Sequence, residues 1–133
     1  MKDLINKAYM ENNLNCAEST LDAANRKFAL GLTEDDIRLV SGFGGGMASG
    51  RVCGALAGAI AAISRVTVKD KGHTTPGFKD IMGGYVDKFV KEFGSTECRD
   101  LRARYAKPEI RCKELVEANA LMLEKYLEEL KNK

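Results

Sequence analysis

The chain has 133 residues, of which 44% are apolar and 30% charged, and a formal net charge of +2. This length and composition exclude a disordered or fibrous protein and predict one domain over residues 1–133. The near-neutral charge gives no general reason to bind nucleic acid or anionic lipid, and the longest uncharged apolar run, 52–63, is too short to insert across a membrane.

Cysteine usage and the N-terminal residues together predict a compartment. Four cysteines in 133 residues are too few for a disulfide-stapled secreted scaffold. The first seven residues are followed by no apolar run of the kind found in a signal peptide. We therefore expect a cytoplasmic protein, in which cysteines are more often free, catalytic or metal-bound than bridged.

Apolar residues recur with helical spacing, and no stretch alternates in the manner of an exposed strand. A first helix is predicted to begin at Cys16, with Asn15 as its N-cap and Glu18 as the reciprocal partner of that cap. Residues 30–32 are predicted to stop this helix. A shorter helical piece is predicted over 33–40.

The middle of the chain joins a glycine-rich loop, 41–50, to a helix rich in alanine and glycine. This helix is predicted over about 50–64, with Ser49 as its N-cap. It is apolar nearly all round, which is typical of a helix in the middle of a bundle. Gly54 and Gly58 lie four residues apart, so they form a smooth strip that another backbone can approach closely.

The last third of the chain contains a polar turn over 69–77 and then a helical pattern over 78–93. Residues 94–96 are predicted to end that helix and to start another, and Pro108 is predicted in the first turn of the final helix. The fold expected from these signals is an all-α helical bundle of about five to seven helices around the central glycine- and alanine-rich helix.

The four cysteines are Cys16, Cys53, Cys98 and Cys112. They contain no C-x-x-C pair, which excludes the thioredoxin-like, zinc-knuckle, ferredoxin and c-type haem motifs. Each is predicted to lie near a helix N-terminus, and Arg51, Arg99 and Arg111 stand close in sequence to the last three. Because helix N-termini and cations stabilise a thiolate, we expect lowered pKa values and reactive or metal-binding sulfur. The alternative at each position is a buried cysteine that acts as a small apolar side chain.

The glycine loop is a second candidate site. Gly44, Gly45 and Gly46 allow a backbone to approach a ligand closely, and a loop facing a helix start can hold an anion. The loop matches neither the P-loop nor a dinucleotide fingerprint. It could instead be a tight crossing between helices, or could supply N–H donors to the sulfur of Cys53.

Two polar groups stand outside these patterns. His73, in the loop before Pro76, is expected to be solvated, although it could act as a base or a further metal ligand if that loop folded over the cysteines. Tyr105 and a neighbouring basic stretch are expected to form a solvated helix face that could attract an anionic partner. The basic stretch consists of Arg99, Arg102, Arg104 and Lys107.

The runs Gly-Phe-Gly-Gly-Gly-Met at 42–47 and Cys-Gly-Ala-Leu-Ala-Gly at 53–58 resemble the signature of the redox-active protein family named C_GCAxxG_C_C. The four cysteines match that family's four in order, and the resemblance extends over about 15–130. One departure is the order Cys-Gly-Ala, where the family name has Gly-Cys-Ala. The resemblance implies redox activity and specifies neither substrate nor electron donor.

Three functions are compatible with these residues. The first is a thiol redox protein or thiol-dependent oxidoreductase, with Cys53 as nucleophile, Cys16 as resolving partner, and Cys98 with Cys112 as a second pair. The second is a metal carrier in which all four cysteines bind Zn²⁺ or an iron–sulfur cluster. The third is a helical interaction protein, and an apolar stripe left uncovered by so short a bundle could make it a homodimer. The sequence does not identify a redox partner.

Overall fold

The computed structural model describes all residues, 1–133, and contains seven α-helices and no β-strand. The all-α prediction is confirmed. The helices are α1 (Lys2–Asn6), α2 (Cys16–Phe28), α3 (Glu34–Arg38), α4 (Gly54–Thr67), α5 (Phe78–Phe93), α6 (Cys98–Tyr105) and α7 (Lys113–Lys131). Residues 7–11 continue α1 as a wider turn, and this N-terminal helical segment was not predicted from the sequence. None of the seven helices combines the length and the apolar character needed to cross a membrane.

Helices α2 and α4 form the centre of the bundle, and the glycine strip of α4 is the place where they meet. A Cβ atom on Gly58 would lie 2.5 Å from the carbonyl oxygen of Ala17, and one on Gly54 would lie 2.4 Å from the sulfur of Cys16. Gly54 therefore faces the start of α2, and Gly58 faces its next turn, around Thr20. The two helices run in the same direction, so their N-termini lie at the same end of the bundle.

The predicted N-terminus of α2 is confirmed in detail. The Asn15 side chain accepts hydrogen bonds from the N–H groups of Ala17 (3.1 Å) and Glu18 (3.0 Å), and the Glu18 carboxylate accepts one from the N–H of Asn15 (3.0 Å). The Asn15 amide also donates to the carbonyl oxygen of Ser41 at 2.9 Å. One side chain thus caps α2 and fixes the beginning of the glycine loop against it.

The ends of α2 and α3 are displaced slightly from their predicted positions. Helix α2 ends at Phe28, and Ala29 takes the left-handed conformation before the predicted stop at 30–32. Helix α3 is capped by Thr33, whose hydroxyl accepts from the N–H of Asp36 while the Asp36 carboxylate accepts from the N–H of Thr33. It ends at Arg38, two residues short of the predicted end.

Helix α4 begins four residues later than predicted. Residues 46–50 form a wide turn in which Met47 and Ala48 have φ values of 62° and 54°, so a right-handed helix cannot pass through them. Ser49 is not a helix cap, because its hydroxyl donates to the carbonyl oxygen of Met47 at 2.9 Å. The prediction for Pro108 is also wrong: it lies in a turn that precedes α7.

A buried polar contact joins three helices across the apolar core. The hydroxyl of Tyr85 in α5 donates to the Asn119 side chain of α7 at 2.6 Å. The Asn119 amide in turn donates to the carbonyl oxygen of Ala55 in α4 at 3.1 Å. Both polar side chains are fully buried. Since buried polar groups must be paired, this chain of bonds fixes the N-terminal part of α4 relative to α5 and α7.

Candidate thiol site

All four cysteines lie at the N-terminal ends of helices, as the sequence predicts. Cys16 and Cys98 are the first residues of α2 and α6, whereas Cys53 and Cys112 immediately precede α4 and α7. All four are free thiols. The chain order places them far apart, so it is the packing of these four helix starts that brings the cysteines together.

Three of the cysteines line one cavity of about 370 Å³. Cys98 is buried in its wall, whereas Cys16 and Cys112 are partly exposed. Cys53 does not line the cavity and is only 4% exposed. It lies directly behind Cys16, because the Cys16 sulfur contacts Gly54, the next residue after Cys53. The site therefore has an accessible thiol with a buried thiol close behind it.

A short backbone bridge fixes Cys53 beside Cys98. The N–H of Cys53 donates to the carbonyl oxygen of Thr96 at 2.7 Å, and the N–H of Cys98 donates to that of Arg51 at 2.5 Å. These two bonds pair the segment before α4 with the segment before α6 in antiparallel fashion. Neither segment carries a strand signal, so this contact could not be predicted from the sequence.

Burial dominates the ionisation of the inner thiols. It raises the pKa of Cys53 to about 12, even though hydrogen bonds from the N–H groups of Leu56 and Ala55 act in the opposite direction. Burial also raises the pKa of Cys98 and that of Cys112. The expectation of lowered pKa values is therefore wrong for these three, because the loss of water outweighs the helix termini and the cations.

Electrostatic coupling places Cys16 at the centre of the group. After burial, a negative charge on Cys16 contributes to the raised pKa of each of the other three cysteines. The charge on Cys98 similarly raises the pKa of Cys112, and it does so more than Cys16. Cys16 is thus the cysteine whose charge acts on all of the other three.

The cations that act on the thiols are only partly those expected from sequence proximity. Arg102, one turn into α6, lowers the pKa of both Cys98 and Cys112, although burial prevails. Arg111 also lowers the pKa of Cys112, as its position predicts. Arg51 and Arg99, the other two sequence neighbours, are exposed and do not line the cavity.

The glycine loop packs closely against the cysteine helices. A Cβ atom on Gly44 would lie 2.4 Å from the Asn15 amide nitrogen, and one on Gly46 would lie 2.7 Å from the Cβ of Cys98. Gly45, with φ 64°, lines the cavity. The N–H groups that hydrogen-bond the Cys53 sulfur belong to α4 rather than to this loop. The tight-crossing interpretation therefore accounts for Gly44 and Gly46, and Gly45 is the loop residue that a bound molecule would meet.

His73 lies away from the cysteines. It is exposed in the loop after α4, beside Phe78 and Lys79. Helix α4 has 14 residues and is about 21 Å long. Cys53 precedes one end of it and His73 follows the other, so the loop does not fold over the cavity.

Tyr9 is the site residue that sequence analysis missed. It is buried, and its hydroxyl accepts a hydrogen bond from the N–H of Cys112 at 3.2 Å. The Arg111 guanidinium lies 4.2 Å from the centre of the Tyr9 ring and donates to the Tyr9 carbonyl oxygen at 2.8 Å. No local pattern could reveal a contact between residues more than a hundred positions apart.

No group of three or more His, Cys, Asp or Glu side chains is positioned to hold one metal ion.

Comparison with known proteins places this cysteine arrangement in a family. The profile of a family described as "Putative redox-active protein (C_GCAxxG_C_C)" matches residues 14–126. The chain belongs to this family. The C_GCAxxG_C_C match includes all four cysteines and the glycine loop, whereas Tyr9 precedes it.

An archaeal relative shares part of this sequence. A protein of Archaeoglobus fulgidus, described as an uncharacterized protein, is 38% identical over an alignment of 98 residues; the match covers 65% of this chain and 64% of the relative. The chain thus matches less than two thirds of that relative's length. No solved structure matches the chain.

Proposed function

We propose that the protein is a cytoplasmic thiol redox protein whose working couple is a dithiol and disulfide formed by Cys16 and Cys53. The observation that carries this proposal is the position of the Cys16 sulfur. It is partly exposed at the cavity and contacts the residue after Cys53. Membership of a family described as redox-active supports the same chemistry.

The roles of the two thiols follow from their exposure. Cys16 faces the cavity at the first residue of α2 and is partly exposed, so a substrate can reach it. Cys53 is buried and has a pKa of about 12, so it is poorly suited to meet a substrate first. The proposed mechanism therefore exchanges the roles expected from the sequence: Cys16 attacks the substrate and Cys53 resolves.

The reaction balances without any further reactant. The Cys16 thiolate attacks one sulfur of a substrate disulfide, which breaks the substrate S–S bond and releases one thiol. Cys53 then loses its proton and attacks the Cys16 sulfur of the mixed disulfide, which releases the second thiol. The substrate gains two electrons and the two thiol protons, and the chain is left with one new S–S bond.

Cys98 and Cys112 are proposed as a second pair that returns electrons to the first. Both line the same cavity, and among the nearby charges it is Cys98 that acts most strongly on Cys112. Exchange between the two pairs would begin with attack by the thiolate of Cys98 or Cys112 on the Cys16 sulfur, which lines the same cavity, and Cys53 would leave and take up a proton. Attack by the other thiol of the second pair would then release Cys16 and close a Cys98–Cys112 disulfide. The alternative function is a metal carrier, in which all four thiols would have to converge on one ion.

A joint thiol and metal count on protein purified without oxygen tests the proposed function. Free thiols are titrated before and after a reductant, and metals are determined by elemental analysis of the same sample. We expect no stoichiometric metal, and two thiols that disappear on mild oxidation and return on reduction. One metal or cluster per chain, with thiols that become reactive only after its removal, would establish the metal-carrier function instead.

A further inference from the structure

We propose that the cysteine cavity accepts a small anionic disulfide, that is, a low-molecular-weight disulfide carrying carboxylates or similar groups. This inference rests on the proposed thiol redox function and names the substrate class of the same site. It is carried by the charge of the cavity, by the helix ends that open into it, and by its size.

The cavity is lined by cations and by no acidic side chain. Arg102, Lys107 and Arg111 contribute to its wall. Lys107 is paired with Glu114 at 2.5 Å, whereas Arg102 and Arg111 have no carboxylate within 4.0 Å. In a chain of net charge +2, this is a local excess of positive charge that its own acidic residues leave uncompensated. Two guanidinium groups beside reactive sulfur suit a ligand that brings its own carboxylates.

The helix ends add to this positive field. Cys16, Cys98 and Cys112 all line the cavity, and they lie at the N-terminal ends of α2, α6 and α7. These helices have 13, 8 and 19 residues, and the N-terminus of each carries partial positive charge. Together with the arginines, these termini make the whole cavity attractive to an anion.

Arg111 has an unusual backbone conformation, which its contacts hold in place. Its φ of 54° lies in the left-handed region that residues other than glycine seldom adopt. An antiparallel bridge to Lys107 and the contacts with the Tyr9 ring and carbonyl fix it there. The guanidinium is therefore held against Tyr9, another wall residue of the cavity, although the Arg111 side chain is exposed.

The size of the cavity indicates a small molecule rather than a folded protein. A volume of about 370 Å³ is near the lower end of the range for small-molecule sites. A disulfide with a short acidic arm on each side would place its S–S bond at Cys16 and its carboxylates at the arginines. The products are two anionic thiols, with both electrons supplied by the Cys16 and Cys53 thiols.

A series of disulfides that differ in charge tests this inference. The reduced protein is mixed with dithiodipropionate, hydroxyethyl disulfide or cystamine, which are dianionic, neutral and dicationic, and the rate of thiol loss is measured. We expect the dianion to react about tenfold faster than the neutral disulfide at low salt, and cystamine to react more slowly than either. High salt should remove most of this difference.

Charge variants test which residues are responsible. Arg102→Gln and Arg111→Gln should each slow the reaction with the dianion severalfold more than the reaction with hydroxyethyl disulfide. Arg65→Gln removes the same charge from an exposed position in the last turns of α4 and should change neither rate. Because Arg111 also contacts Tyr9, Arg111→Lys separates charge from packing, and it should retain part of the preference for the dianion.

The outcomes separate this inference from the proposed function. Equal rates for all three disulfides, or a loss of rate with Arg102→Gln that is the same for the neutral and the dianionic probe, would overturn the anionic substrate and leave thiol exchange intact. Reaction only with a disulfide-bonded protein, and with none of the small probes, would also overturn it. No exchange with any disulfide would overturn both.

Discussion

The two ends of α4 differ in chemistry although both are flanked by polar loops. At the N-terminal end, Cys53 lies among the starts of α2, α6 and α7, next to a cavity with unpaired arginines. At the C-terminal end, the chain continues into a loop with His73, and the groove there holds both Lys79 and Asp80. At the N-terminal end, the thiols of neighbouring cysteines affect one another's pKa, because the helix starts bring them together where they are shielded from water. Reactive residue types are present at both ends, but only at the N-terminal end does helix packing bring several of them to one site.

The largest expected effect contrasts one residue from each end. Cys16→Ser should slow the reaction with a low-molecular-weight disulfide by about a hundredfold or more, because the accessible nucleophile is lost. His73→Ala should leave the rate within twofold. Stopped-flow measurement of thiol loss checks both variants. A large effect of His73→Ala on the rate, or an unchanged rate for Cys16→Ser, would contradict the assignment of the reactive site to the N-terminal end of α4.

The α2–α4 contact that assembles the cysteine end should be intolerant of added volume. Gly58→Ala places a Cβ 2.5 Å from the backbone oxygen of Ala17 and should lower the free energy of unfolding by about 2–3 kcal/mol. The matched control is Gly83→Ala on α5, where a Cβ meets nothing within 4 Å, and it should be neutral or stabilising by up to about 1 kcal/mol. Urea unfolding of both variants checks this, and equal losses would contradict the close approach.

The buried thiol predicts a specific pH dependence of stability. Cys53 has a pKa of about 12 in the folded chain, against an ordinary value of 9.0. Above about pH 9 the unfolded chain releases this proton and the folded chain keeps it, so the free energy of unfolding falls as pH rises towards 12. The fall approaches about 1.4 kcal/mol per pH unit.

Urea unfolding of the reduced protein at about pH 8 and about pH 10 measures this fall, with Cys53→Ala as the comparison. The variant should lose less stability over the same interval, because its unfolded state has one thiol fewer to ionise. Equal losses in the two proteins would show that Cys53 is not desolvated as the structure indicates.

The smallest expected effect compares the N-cap of α2, Asn15, with the N-cap of α3, Thr33. Asn15→Ala and Thr33→Ala should each cost about 1 kcal/mol, because each removes an N-cap side chain. Only Asn15→Ala should also alter the reaction rate of Cys16, since Asn15 lines the cavity and ties the glycine loop to α2. If Thr33→Ala changed the reaction rate of Cys16 as much as Asn15→Ala does, the change would reflect a general loss of stability and not the Asn15 cap.

Most of the local interactions could be predicted from the sequence, whereas most of the tertiary ones could not. The Asn15 cap with its Glu18 partner depends on three-residue spacing, and the approach at Gly58 follows from the spacing of two small residues. The sequence predicts the start of α4 too early, because Met47 and Ala48 take the left-handed conformation and nothing in their residue types indicates it. The raised thiol pKa values and the contact of Tyr9 with Cys112 depend on burial and on chain segments far apart in sequence, which local patterns do not contain.

Mapping the disulfide that forms on oxidation tests whether Cys16 and Cys53 are the working pair. A chain with both Cys98→Ser and Cys112→Ser is reduced, treated with one equivalent of dithiodipropionate, digested without reduction and analysed by mass spectrometry. We expect a single cross-linked peptide pair containing Cys16 and Cys53, with both probe thiols released. A stable mixed disulfide on Cys16 with Cys53 still free, or no reaction at Cys16, would contradict it.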